Sequence, residues 1–459
     1  MLLVLVLGAT ALFTRSLLSQ RADARRASTS TQLLAEAKEA LLGYAATWDA
    51  THPGQLGFLP CPDIDNLGGV PEGEAHEALC GLPGRNVLGR LPWRTLGIEP
   101  ARSRGADCLW YAVSGSWKAA GIASPAMLNE DSNGQFRLRA ADGTTVIAGV
   151  APAERPVAVL IAPGPPLPGQ VRATLPVGVG QCGGNFLATN YLDNDVAAGI
   201  DNGTLASLAD AIDDFITAGA SNPSVNDRIL TITRAEIQER ITRRADVQLK
   251  LASLAQAVAK CVADHGKHNA GGPDDRRLPW PAPVGLPDYR SAVQYNDTPI
   301  GALSGRLPDL VNDSNSRTGN PVPTLLTGCN SAAVPEWTPA MATLWQNWKD
   351  HLFYAVARDF RPDAPPASAC AQCLTVNGTG AWAAIVMFSG SRLPALGQVR
   401  DQPPMDADTR NDIANYLEGR NAGNHPNAAG TGNYQSGPVT STFNDVLFCI
   451  DANLGVSPC

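Results

Sequence analysis

The chain opens on an apolar run, MLLVLVLGATALF, passes through a basic and polar segment, TRSLLSQRADARRASTST, and turns apolar-periodic again in QLLAEAKEALLGYAATW. In the last of these, Leu33, Leu34, Ala37, Leu41, Tyr44, Ala45 and Trp48 share one helical face, while Glu36, Lys38 and Glu39 lie off it. No proline precedes Pro53, and only Gly8 and Gly43 interrupt the pattern. It predicts one continuous helix from Met1 to about Ala50, roughly 75 Å long at the α-helical rise. Residues 51–105 carry Pro53, Pro60, Pro62, Pro71, Pro83, Pro92 and Pro100, which exclude long helices and central strands there. DCLWYAVS at 107–114 predicts a strand, and 136–147 a hairpin turning at Asp142-Gly143. The wholly apolar PVAVLIA at 156–162 predicts a central strand, 205–217 a short helix, and DRILTIT at 227–233 another strand.

From Arg234 the same succession begins again. A helical period runs to about His265 through Ile237, Ile241, Leu249, Leu251, Leu254, Val258 and Val262. Strands are predicted at Trp382–Phe388 and at 444–450. Phrases of the two halves correspond in order: LLAEAKEALLGYAA with LASLAQAVAKCVAD, FLPCP with RLPWP, GRLPWRTL with GRLPDLV, CLWYAVS with HLFYAVA, VAVLIAPGPPLPGQVR with AAIVMFSGSRLPALGQVR, ATNYLDN with IANYLEG, and NDRILTIT with NDVLFCI. A period of about 210 residues is that of a repeated domain and not of a solenoid.

Charge and cysteine content narrow the class. A net charge of −8 argues against a nucleic-acid partner, because a phosphate-binding face needs clustered Lys and Arg. The basic cluster Arg21, Arg25 and Arg26 follows the apolar run and suits a headgroup or filament contact. Ten dispersed cysteines point to an oxidising compartment and disulfides. Cys61 with Cys80 is the favoured local pair, and Cys370 with Cys373 a possible one. Zinc would want two close Cys or His pairs, and only Cys370 and Cys373 form CxxC. Met1–Leu18 is at the short end of a membrane span. Its apolar residues Leu2, Leu3, Val4, Leu5, Val6, Leu7, Leu12 and Phe13 are the expected membrane anchor, with basic residues expected upstream of Met1.

Candidate chemistry is sparse. Asp63, Asp65 and Asn66 in PDIDNLGG alternate oxygen ligands as calcium loops do, although turn-forming is the simpler role. Asp193, Asp195 and Asp201 form a second acidic loop. CxxC at 370–373 lies in a loop, where a structural role outweighs a redox one. His265 and His268 read as a helix C-terminal feature. Ser114 and Ser389 lie in VSGSW and FSGSR, short of a full GxSxG elbow. Trp345 and Trp348, at helical spacing, read as core. No catalytic constellation and no cofactor is expected.

The apolar-to-amphipathic helix followed by LLGYA, LPCPD, GRLPWRTLG and DCLWYAVS resembles type IV pilin-like and pseudopilin-like proteins of Gram-negative bacteria. The resemblance covers about residues 1–235, and the second half only through the repeat. It implies an α+β fold in which a long N-terminal helix packs on a small antiparallel sheet, duplicated in tandem. The organisation expected is 1–32 as transmembrane or filament helix, 33–233 as first head and 234–459 as second. The implied function is a non-enzymatic minor, tip or accessory subunit of a type IV pilus or type II secretion-like pseudopilus. Its implied partners are the inner membrane and other pilin-like subunits, with the protein single-pass in that membrane and its heads in the periplasm or at the cell surface. An exported ligand-binding or adhesin-like protein is the alternative, and an exported hydrolase, marked by Ser, His and Asp in one cleft, the third reading.

Overall fold

In the computed structural model, helix α1 is described from residue 29 and ends at 47, where the chain tightens into a 3₁₀ turn at Trp48–Ala50. Pro53 and Gly54, the latter at φ +89°, then prevent the helix from resuming. The residues described are 29–65, 69–100, 107–118, 127–172, 181–182, 185–267, 276–299, 301–311, 325–326, 328–329, 331–365, 369–400 and 409–459. The anchor residues Leu2, Leu3, Val4, Leu5, Val6, Leu7, Leu12 and Phe13 lie outside them.

The expected fold class is corrected. Among the described residues there are five helices and sixteen strands in several sheets, in place of one long helix on one small sheet. The longest helix, α3, spans the 23 residues Ala245–Lys267 and follows α2, Arg234–Thr242. Strand-forming runs of β-branched and aromatic residues outnumber helical ones once the proline-rich loops are set aside. The single-pass inner-membrane placement is corrected as well: among the described residues no helix is long and apolar enough to cross a membrane. The helix expected at 205–217 is also absent. Its second half is a strand, Asp213–Ile216, because Phe215 and Ile216 pair with 136–139 and are buried there.

The chain divides into two compact units. The first comprises residues 1–47, 57–124 and 133–240. The second comprises 48–56, 125–132 and 241–459, so two short segments of the first half of the sequence belong to the second unit.

In the first unit β1 (Val87–Arg90), β2 (Trp110–Val113), β5 (Pro156–Ala162) and β9 (Arg228–Thr233) form an antiparallel sheet in that order. β5 is buried at every position, as its unbroken apolar run requires. A second sheet joins β4 (Val146–Ala148), β3 (Phe136–Arg139) and β8 (Asp213–Ile216). The β3–β4 hairpin turns where Asp142 accepts the N–H groups of Thr144 and Thr145. β6 (Asn194–Asp195) and β7 (Ile200–Asp201) pair with each other. α1 buries Leu34, Ala37, Leu41, Leu42 and Ala45, and Lys38 donates to the Thr231 carbonyl on β9.

The second unit has β10 (Ser304–Arg306), β11 (Leu352–Val356), β13 (Thr379–Phe388) and β15 (Val446–Asp451) in the same antiparallel order. β12 (Leu374–Val376) makes a hairpin with the first part of β13, β14 (Gly432–Tyr434) adds parallel to β12, and β16 (Val456–Pro458) covers the outer edge of β15. α3 packs on β13, β15 and β16. It buries Val247, Leu251, Leu254, Val258 and Val262 and leaves Leu249 exposed. α4 (Pro339–Trp348) is capped by Thr338, and α5 spans Gly419–Gly423.

The two main sheets agree residue for residue wherever the sequence phrases correspond. Gly89 faces Tyr111, and Gly305 faces Tyr354. Ala112 faces Val159, and Ala355 faces Ile385. Ile161 faces Ile229, and Met387 faces Leu447. The register shift between Pro156 and Ala158 recurs between Trp382 and Ala384. Such an agreement needs the same inward-facing pattern at every strand, since a slip of one residue would turn each side chain to the opposite face.

Candidate functional site

Among the described residues one set of side chains groups as a catalytic or metal site would: Glu130, Asp131 and His351, in the second unit. His351 closes the 3₁₀ turn Lys349–His351 between α4 and β11. Ser389 follows β13, the strand that pairs with β11, and Arg392 and Arg400 lie in the loop beyond. Glu130 and Asp131 come from the 125–132 segment. That segment is held by Asn129, whose amide donates to the Asn347 carbonyl and the Asp350 carboxylate, both at 2.9 Å.

His351 Nε2 lies 2.9 Å from Asp131 Oδ2, and Nδ1 lies 3.2 Å from the Ser389 carbonyl oxygen and 3.3 Å from Ser389 Oγ. The connectivity is that of a Ser-His-Asp relay. Two observations remove that chemistry. First, Asp131, His351 and Ser389 have no exposed surface at all, so a substrate could not reach the hydroxyl. Second, His351 is held above its usual pKa: burial opposes the charge, and the carboxylates of Asp350 and Asp131 outweigh it. The Arg400 guanidinium also lies 3.4 Å from the same Nδ1, so a fixed cation stands where the serine proton would have to be taken.

The cluster does not suit a metal either. Arg400 Nη1 is 3.4 Å from Glu130 Oε1 and 3.4 Å from Asp131 Oδ2, and Arg392 Nε is 2.9 Å from Asp131 Oδ1. Fixed guanidinium charges therefore occupy the space a cation would need. The Arg400 guanidinium and His351 hold the Asp131 carboxyl far below its ordinary range despite burial. What the arrangement does is hold segments distant in sequence together: 125–132, the start of β11 and the loop after β13. Ser391 Oγ and the Arg392 N–H complete it by donating to Glu130.

The other sequence candidates fall elsewhere. Asp63 is fully buried, accepts the Gly73 N–H at 2.8 Å and is pushed up to about 7 by burial. Asp65 pairs with His76 at 3.5 Å, and Asn66 lies outside the described residues. Asp195 accepts the Ala197 and Ala198 N–H groups and binds Asn222, and Asp201 accepts from Gly203 and Thr204, which is turn chemistry. Ser114 Oγ donates to Gln135 Oε1 at 2.7 Å in the core of the first unit. Trp345 and Trp348 are buried on α4. His265 lies in the last turn of α3, and His268 outside the described residues.

The cysteines form five disulfides: Cys61–Cys80, Cys108–Cys182, Cys261–Cys329, Cys370–Cys373 and Cys449–Cys459. The CxxC pair is half-buried ahead of β12. The N–H groups of Ala371 and Gln372 both donate to Asp359 Oδ2 at 2.8 Å, so they are unavailable to stabilise a thiolate.

Sequence reading singled out Ser389 but missed His351, Asp131 and Arg400. His351 was visible only as the counterpart of Cys108 in the aligned phrases. Asp131 carried no signal, since its partner is 220 residues away. No protein-family model, no curated protein and no solved structure matches the chain.

Proposed function

We propose that the chain is a non-catalytic binding and display protein of an oxidising compartment, presenting two differently looped units on one sheet plan. The observation that carries this reading is the agreement in strand order and register between the two sheets, around which the loops and disulfides differ. A scaffold kept constant while its loops diverge is what display of two surfaces requires. Five disulfides support the compartment. The sealed setting of the His351 cluster, with two arginines on its carboxylates, supports a role without catalysis.

A second reading is an accessory subunit of a type IV pilus or type II secretion-like pseudopilus. The phrases that carry the resemblance lie together in the first unit, where Asp63 of LPCPD bridges to Arg90 of GRLPWRTLG and β1 pairs with the strand of DCLWYAVS. Protein isolated from its own cells under thiol-trapping conditions tests the first reading. The expected result is no titratable thiol among Cys61, Cys80, Cys108 and Cys182, and their capture in the reduced form would overturn it. Crosslinking in intact cells before isolation separates the readings, since only the second expects adducts to pilin-type subunits.

A further inference from the structure

Each unit contains a pair of buried carboxyls that joins a turn to the start of the last strand of the four-strand order. In the first unit the Asp193 N–H donates to Asp227 Oδ2 at 2.7 Å, and the Asp227 N–H returns to Asp193 Oδ2 at 2.7 Å. The Asn226 N–H also donates to Asp193 Oδ2, Asn202 to Asp227 Oδ2 at 3.0 Å, and Gln170 to Asp193 Oδ1 at 3.3 Å. In the second unit the Glu418 N–H donates to Asp445 Oδ2 at 3.1 Å and the Asn444 N–H to Glu418 Oε2 at 3.0 Å. Asn421 donates to Asp445 Oδ2 at 2.8 Å and Gln398 to Glu418 Oε1 at 2.9 Å. Asp193 and Glu418 occupy the same place in ATNYLDN and IANYLEG, as do Asp227 and Asp445 in NDRILTIT and NDVLFCI. In both pairs the Oδ1 of the strand aspartate is buried and has no hydrogen-bond partner among the described residues.

The charged groups facing the pairs do not neutralise two carboxylates. Arg172 faces both Asp193 and Asp227. It spends its guanidinium on the Asp107 carboxylate, Gln170 and the carbonyls of Asn190, Tyr191 and Gly164. The charged group facing Asp445 is Glu418, and the polar side chains packed on that pair, Gln398 and Asn421, are neutral. Arg400 reaches Gln398 and not the pair's own oxygens.

We propose that each pair is a one-proton clasp: the two carboxyls hold the turn to the strand while they share a single proton, and release it when that proton is lost. Two ionised carboxylates that each accept a backbone N–H from the partner's own segment, buried and with no cation hydrogen-bonded to either, repel each other, and the reciprocal N–H bonds do not offset the second charge. Burial, then the Asp193 charge, pushes Asp227 up to about 8, and burial pushes Asp193 up as well. Burial and the Glu418 charge push Asp445 well above its ordinary value. A carboxyl raised from 3.8 toward 8 stays protonated in the folded chain where the unfolded chain has lost its proton. The clasp's contribution is therefore complete in acid and declines as pH rises, by about tenfold in the folding equilibrium per pH unit between the two values.

The test is thermal unfolding from pH 5 to 9 of the full chain and of Asp227→Asn, Asp445→Asn and the double variant. Asparagine keeps an acceptor for the N–H bond and cannot ionise. The expected result is a wild-type Tm that falls across this range and a fall that is shallower in each single variant and shallowest in the double. His351 also contributes a fall with rising pH, but equally to all four proteins, so the difference between them isolates the clasps. Equal slopes in all four would overturn the proposal. Should the variants fail to fold, the infrared band of protonated carboxyls decides, read in Asp63→Asn because burial also pushes Asp63 up to about 7. Its presence at pH 6.5 and loss by pH 10 is expected, and its absence at pH 6.5 would overturn the proposal.

Discussion

At the position just before the second strand of the shared order, the first unit has Cys108 and the second has His351. Cys108 is bonded to Cys182, a covalent link across 74 residues, and its neighbour Asp107 pairs with Arg172 at 2.7 Å. His351 is paired to Asp131, which Arg400 also reaches. Arg172 and Arg400 are themselves counterparts in the GQVR phrases. Both donate from Nε to the carbonyl of an asparagine, Asn190 or Asn415, and both lie over a tyrosine, Tyr191 or Tyr416. One guanidinium frame thus serves with a disulfide in one unit and with a buried ion cluster in the other. The strand register does not change, because it is set by the inward-facing side chains and the two staples act only on the loops around them.

The outer edges show the same economy. β15 is covered by β16, whose end is tied back by Cys449–Cys459. On β9, the counterpart of β15, Lys38 binds the Thr231 carbonyl, Glu236 accepts the Thr233 N–H, and Lys38 and Glu236 pair with each other at 2.5 Å. A charged plug on one edge and an added strand on the other both deny that edge to a neighbouring chain.

Three changes would break or sharpen this comparison. The largest effect is expected from Cys108→Ser with Cys182→Ser. Freeing a loop of that length costs about 4 kcal/mol, read as a lower midpoint for the first unit in denaturant titration with the second unit's transition unmoved. Asp131→Ala is next, at about 3 kcal/mol, because it leaves His351 and Arg400 buried against a vacancy. Here the second unit should melt earlier, and an unchanged second transition would mean that the cluster holds nothing. Lys38→Ala is the smallest, at about 1 kcal/mol. Its more telling readout is self-association in sedimentation, since it reopens the Thr231 carbonyl on a strand edge.

The central strands were legible because their apolar runs are short and rich in β-branched and aromatic residues, as in PVAVLIA, WYAV and WAAIVMF, whereas the edge strands 87–90, 304–306 and 456–458 carry no such run and were not foreseen. The Asp142-Gly143 hairpin was legible for a local reason, the turn side chain that caps its own backbone. The helix expected at 205–217 was misread because Asp213 and Asp214 are poor strand formers on their own and hide the strand. Their strand exists only because 136–139, more than seventy residues earlier, offers a parallel ladder. The first helix ends near Ala50, as its stripe and Pro53 led one to expect, and the expected part before residue 29 lies outside the described residues.

By itself the sequence determined the strand runs, the in-order correspondence of the halves and the supply of cysteines, all of which are carried by local pattern or by counting. Only the tertiary structure decided how the cysteines beyond the local pairs Cys61–Cys80 and Cys370–Cys373 are joined, that residues 48–56 and 125–132 belong to the second unit, and that Ser389, His351 and Asp131 meet in a sealed cluster. It also decided which carboxyls keep a proton. Those outcomes depend on burial and on partners tens to hundreds of residues away, and the field at a buried group is a sum over neighbours that no window of sequence contains.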